Sequence, residues 1–206
     1  MAAASRPRTR LAKDDRRAQL LGAAERAFLR GGYHGTHVDD VIREAGIARG
    51  TFYLHFESKH AIFSALVDRM LGIFLEARPT GPEPEVRTAA DAEALLSLST
   101  RTVLSTFRAH RGLCRLLLEE AVGADKGFAA RLDAHEREWH ARVAATRREF
   151  VERGIARPDL DCDVHAEMVI GLMERLTRRY LLPDPEPDLE ALVRAVVAFE
   201  MRGIRG

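Results

Sequence analysis

Residues 36–59, THVDDVIREAGIARGTFYLHFESK, decide the fold. Thr36 carries the hydroxyl of a helix N-cap, and Asp39 stands three residues on, at the spacing of a capping box. Val38, Val41, Ile42 and Ala45 recur at helical intervals, so one face is apolar and packs inward. Gly46 follows where the chain must turn, a place for a left-handed residue. Ile47 fills the corner. A second short helix is predicted over about residues 48–55, with Phe52 and Phe56 on one side. Arg49, Gly50, Thr51, Tyr53 and His55 fall on its other sides. Two short helices crossing at a glycine turn form a helix-turn-helix, whose second helix fits a DNA major groove.

Working outward, residues 1–13 are small, basic and aperiodic and read as a disordered arm. Arg6, Arg8, Arg10 and Lys13 either follow phosphates or form a solvated tail. Asp14 or Asp15 opens a first helix with negative charge at its positive end, Leu20, Leu21, Ala24, Phe28 and Leu29 supply its buried stripe, and Gly31-Gly32 ends it. Ser58 is the expected N-cap of a fourth helix that runs from Lys59 to about Arg78. The run PTGPEP at 79–84 then marks a domain boundary.

From about Thr88 onward the periodicity is helical throughout, with a second proline break at 183–187. No alternating strand pattern occurs, so the expected fold is all-α, with about nine helices. The expected organisation is an arm at 1–13, a three-helix DNA-binding head with its connecting helix at 14–78, and a larger helical domain at 79–206.

The formal net charge of +1 conceals an asymmetry. Residues 1–78 hold 13 Lys and Arg against 9 Asp and Glu, whereas residues 79–206 hold 19 against 22. A basic head on a mildly acidic body suits polyanion binding by the head alone. Cys114 and Cys162, far apart, do not form a disulfide framework. With no leader-like or bilayer-spanning apolar run, the expected location is cytoplasmic, without membrane contact.

The run AGIARGTFYLHFESKHAIFSAL, with the lead helix RRAQLLGAAERAFLRGGYHGT, resembles the DNA-binding signature of the TetR family of transcriptional repressors. The likeness extends over about residues 16–69, in order and without gaps. It implies a homodimer that binds a palindromic double-stranded operator and is released by a small-molecule effector. Arg49 is then the candidate for guanine, since a guanidinium meets O6 and N7 together. Gly50 allows close approach, and Thr51 reaches a thymine methyl or a phosphate. Tyr53, His55 and Lys59 occupy backbone-binding positions of the family, and all three side chains donate to phosphate oxygens. Thr36 caps its helix and is a further candidate for a phosphate. Asp39 and Leu54 depart from the family's usual basic and aromatic residues, which leaves the operator sequence open.

The resemblance also implies that the last two helices, apolar on more than one face, build a four-helix bundle with a second subunit. It implies a ligand cavity among the middle helices, with Leu104, Phe107, Arg108, Leu117, Trp139, Val143, Met168 and Leu172 as candidate walls. The apolar lining suits a hydrophobic or acyl effector, and Arg108, Arg111 and Arg115 are candidates for its charged end. Ordinary core is the competing reading of each wall residue.

No cofactor is expected. His135 and His140 stand five apart, whereas two imidazoles share a helical face at a spacing of four, and no nucleophile elbow or phosphate-binding glycine loop occurs. Enzymatic function is not expected. Two alternatives stay open: a metal- or redox-responsive regulator using Cys114, Cys162 and neighbouring histidines, and a helical interaction module that binds no DNA.

Overall fold

The computed structural model describes residues 7–76, 85–121, 123, 125–183 and 187–205. These residues form nine α-helices and no strand: α1 Pro7–Gly35, α2 Val38–Ala45, α3 Arg49–Tyr53, α4 Lys59–Glu76, α5 Ala89–Ala109, α6 Arg111–Arg115, α7 Lys126–Glu152, α8 Cys162–Leu176 and α9 Leu189–Arg205. Two π-helical turns, Leu116–Ala121 and Thr177–Leu181, extend α6 and α8.

Helix α1 begins inside the stretch expected to be a disordered arm. Pro7 takes the first helical position, where its missing N–H costs nothing, and the Arg, Leu, Ala and Lys residues after it are good helix formers. Residues 1–6, Arg6 among them, and the proline-rich break at 79–84 lie outside the described residues.

The chain divides into two compact units. The first comprises Met1–Met70 together with Gly112–Ala129, and the second Leu71–Arg111 with Ala130–Gly206. In the first unit, α1 packs on α2 and on the π turn that follows α6. Its interior holds Leu20, Ala24, Phe28, Val41, Phe52, Phe63 and Phe128. Phe63 lies edge-on to Phe28 at 5.0 Å and tilted against Phe128 at 5.1 Å between ring centroids, so the later segment supplies a wall of this core. Helix α1 bends at Gly32, whose φ of 68° lies in the left-handed region. Leu29, expected in the buried stripe, sits at its edge and is 36% exposed.

In the second unit, α9 packs along α5, and Arg101 and Glu190 join the two through paired bonds of 2.8 and 2.7 Å. Leu96, Leu104, Ala144, Phe150, Ile170, Val193 and Ile204 are interior. Arg147 of α7 and Glu200 of α9 form an ion pair buried within this unit. Burial raises the Glu200 carboxyl above its ordinary value, and the charge of Arg147 opposes that rise.

Candidate nucleic-acid interface

The short pair α2 and α3 is fixed by its caps. Asp40, not Asp39, closes the start of α2: its Oδ2 accepts the His37 N–H at 2.8 Å. That hydrogen bond, with the charge of Arg43, holds the Asp40 carboxyl below its usual value. At the other end Gly46 adopts φ 64°, and the N–H groups of Gly46 and Ile47 donate to Arg43 O and Ile42 O at 3.2 and 3.3 Å. Gln19 of α1 donates through Nε2 to Ala45 O at 2.9 Å, and Glu44 receives Arg26 and Arg30 from the same helix. Helix α2 is thereby seated on α1, and the Gly46 corner sends α3 off at a fixed angle. Phe52 is fully buried under α3, which turns the opposite side outward.

That outer side brings together Arg49, Tyr53 and Asp39. Arg49 Nη1 donates to Asp39 Oδ1 at 2.7 Å, and the guanidinium lies over the Tyr53 ring at 5.7 Å from its centroid. A hydrogen bond with the Tyr53 side chain, followed by the charge of Asp39, raises the already high pKa of Arg49. Gly50 is exposed, with no protein atom where a Cβ would project, and Thr51 is half-buried. Leu54 projects into solvent just beyond the helix, 77% exposed.

The remaining candidates lie elsewhere. Thr36 is 2% exposed, and its hydroxyl lies 2.7 Å from Gly32 O and 3.2 Å from Ala27 O. The capping expected of Thr36 passes to His37 and Asp40, while the one proton of the Thr36 hydroxyl serves the bend of α1. His55 is half-buried, with Nδ1 lacking a hydrogen-bond partner among the described residues. Ser58 does cap α4, its Oγ accepting the Ala61 N–H at 3.0 Å. Lys59 Nζ donates to Tyr33 O at 2.8 Å and lies 4.6 Å from the Tyr33 ring centroid. It therefore caps the end of α1 as well as standing beside the interface.

The ligand candidates are scattered. Leu104 and Phe107 are buried on α5, Arg108 is half-buried there, and Trp139 and Val143 are half-buried on α7. Two of the eight stand apart from the others. Leu117 belongs to the first unit, in the π turn packed on α1. Met168 is 61% exposed, because α8 buries His165, Ala166, Val169, Ile170 and Met173 and Met168 falls on the opposite side. Leu172 is half-buried at the margin of that outer side. Of the two further arginines, Arg111 donates to Leu182 O at 2.8 Å and Arg115 pairs with Glu119.

The metal- or redox-responsive reading finds no support. Cys114 is fully buried, and desolvation pushes its thiol up to about 12, so the reactive thiolate is scarce. Cys162 is buried and lies 3.6 Å from Leu160 O. Among the described residues no group of three or more His, Cys, Asp or Glu side chains is placed to hold a metal ion. None of the helices described is long and apolar enough to cross a membrane.

A solvent-facing Arg and Tyr on a short helix, set at a glycine corner against two bracing helices, define a helix-turn-helix DNA-binding protein. Residues 20–66 match the family described as bacterial regulatory proteins, tetR family. The chain is 23% identical over 186 residues to the fatty acid metabolism regulator protein of Bacillus subtilis, covering 90% of this chain and 94% of that one. It is 27% identical over 196 residues to the transcriptional regulator EthR of Mycolicibacterium smegmatis, covering 94% and 88%. The fold superposes with a TM-score of 0.69 on the regulator FadR of Bacillus subtilis solved with stearoyl-CoA, at 21% identity, over 91% of this chain and 99% of that one. Residues 20–66 are thereby identified as a tetR-family DNA-binding domain, and the chain as a transcriptional regulator.

Proposed function

We propose that this regulator is a homodimeric repressor that leaves a palindromic operator when it binds a small hydrophobic or acyl-type effector. The observation that carries the DNA half of the reading is the solvent-facing cluster of Arg49 and Tyr53 on a helix whose other side is anchored by buried Phe52. Arg49 meets base edges, Tyr53 and Lys59 meet phosphates, and two heads on successive major grooves stand roughly 34–36 Å apart. Gly50 and Thr51 flank Arg49 on the same helix, and His55, just past its end, is a further phosphate contact in this reading.

Dimerisation is supported by the outer sides of α8 and α9. Val164, Met168 and Phe199 are 49%, 61% and 61% exposed, an apolar display that a second copy would bury. The acyl effector is supported by the relatives, one a fatty acid metabolism regulator and one solved with stearoyl-CoA. Leu104, Phe107, Trp139 and Val143 of the second unit are the wall residues that stay compatible with it. An effector of this kind acts by binding the DNA-incompetent state more tightly.

The test is a gel shift on the DNA upstream of the protein's own gene, with and without stearoyl-CoA or coenzyme A. Retardation that stearoyl-CoA relieves and coenzyme A does not supports the whole reading. Retardation indifferent to stearoyl-CoA removes the acyl effector. No retardation of that DNA, nor of any fragment in a genomic pool, removes the repressor.

A further inference from the structure

Asp39 does not cap α2, although its charge suits the first turn of that helix. The capping of α2 is done by Asp40, and the Asp39 side chain is 60% exposed at the start of a helix that faces the duplex. A carboxylate there repels phosphates and lowers affinity for DNA of every sequence. Among the described residues its strong contact is Arg49, ten positions along the chain and on the other helix of the pair.

We infer that Asp39 is a positioning residue for operator recognition: it holds the Arg49 guanidinium in one orientation and so sets the base preference that Arg49 delivers. This rests on the DNA-binding reading above. An arginine has five N–H donors in a planar fork, so a carboxylate on Nη1 and the Tyr53 side chain still leave donors for guanine O6 and N7. A free surface arginine must give up rotamer entropy when it docks, whereas one held between a carboxylate and an aromatic face has already given up part of it. Orientation also narrows which base the fork can address. The same carboxylate penalises a register in which a phosphate approaches Arg49 from the α2 side, so selectivity is gained while bulk affinity is lost.

The experiment uses duplexes selected by the wild-type protein from a random-sequence DNA pool. Dissociation constants are then measured by fluorescence anisotropy for the best selected duplex and for a shuffled duplex at fixed salt. Wild type, Asp39→Ala, Arg49→Ala and the double variant are compared. Arg49→Ala should lower the ratio of the two constants by roughly 5- to 150-fold, the worth of one bidentate base contact. Asp39→Ala should lower that ratio by roughly tenfold while tightening binding to the shuffled duplex, and the double variant should be no worse than Arg49→Ala alone. Repeat selection with Asp39→Ala should lose the preference for guanine at a single base pair.

If Asp39→Ala tightens both duplexes equally, the carboxylate is only a repulsive charge and the positioning role is overturned. If it sharpens the ratio, the pair withholds Arg49 from DNA and the role is likewise overturned. A wild-type protein that enriches no duplex overturns the DNA-binding reading and this one with it.

Discussion

Glu120 and Tyr33 are joined across 87 positions of sequence: the Glu120 carboxylate accepts the Tyr33 N–H at 2.9 Å. The bond falls just past the bend of α1 at Gly32, where helical geometry leaves an N–H without a partner in its own helix. Glu120→Ala removes a charged acceptor from a half-buried donor and should destabilise the protein by about 1 kcal/mol. Gly32→Ala should cost about 1–2 kcal/mol, because its φ of 68° strains any L side chain and a Cβ would come within 3.1 Å of Glu120 Oε2. Urea unfolding with a fluorescence readout measures both. Wild-type stability in both variants would show that the bend does not depend on this contact.

Thr36→Val keeps the shape of a buried side chain and deletes its proton. Gly32 O then loses its donor, and stability should fall by about 1–2 kcal/mol. The salt dependence of DNA binding should not change, since Thr36 is 2% exposed and out of reach of a phosphate. A shallower salt slope would assign Thr36 a phosphate contact.

Lys59→Met keeps the aliphatic stem and removes the charge. Binding to DNA of any sequence should weaken, with the salt slope reduced by roughly 0.9 for one lost phosphate contact. Stability should also fall slightly, because Tyr33 O loses its donor. An unchanged slope with lowered stability would leave Lys59 a helix cap alone.

His165 carries a pH dependence. It is buried on α8, and burial, with the charges of Arg147 and Arg157, lowers its pKa from 6.5 to about 4. The unfolded chain therefore takes up a proton near pH 6.5 while the folded one resists until about pH 4. The stability linked to neutral His165 is fully present above pH 6.5 and drains away as the pH falls toward 4. The loss is on the order of 3 kcal/mol at the low end. His165→Gln should flatten urea midpoints across that window relative to wild type. Parallel curves would mean that His165 titrates alike in both states.

Met168→Glu should shift the sedimentation profile from dimer to monomer with little change in helix content, since the residue is 61% exposed on α8. Phe199→Glu on α9 should do the same. A dimer that survives both substitutions would place the subunit contact elsewhere.

The glycine corner could be read from sequence because its cause is local. A left-handed residue was needed after Ala45, and Gly46 supplies it at φ 64°. Apolar spacing gave the helices for the same reason. The cap of α2 is ambiguous in sequence because Thr36, Asp39 and Asp40 all have capping chemistry within a few positions of one another. Only the backbone shows that the helix starts one residue later and that Asp40 turns back. Met168 and Leu104 are equally apolar in sequence, yet one is 61% exposed and the other fully buried, because hydrophobicity does not say what will cover a face. The bond from Glu120 to Tyr33 and the buried pair of Arg147 with Glu200 depend on tertiary proximity, which no spacing rule encodes.

The DNA-reading head draws Gly112–Ala129 into its own compact unit, and Phe128 from that segment is fully buried against Phe63. A ribosome that has just released α4 has therefore not yet made the whole head. Its aromatic core closes only when some fifty further residues have left the exit tunnel, so the nascent regulator passes through an interval in which Phe63 lacks the Phe128 side of its packing and the chain is exposed to chaperones. A gene cut after the fourth helix would freeze that interval in place.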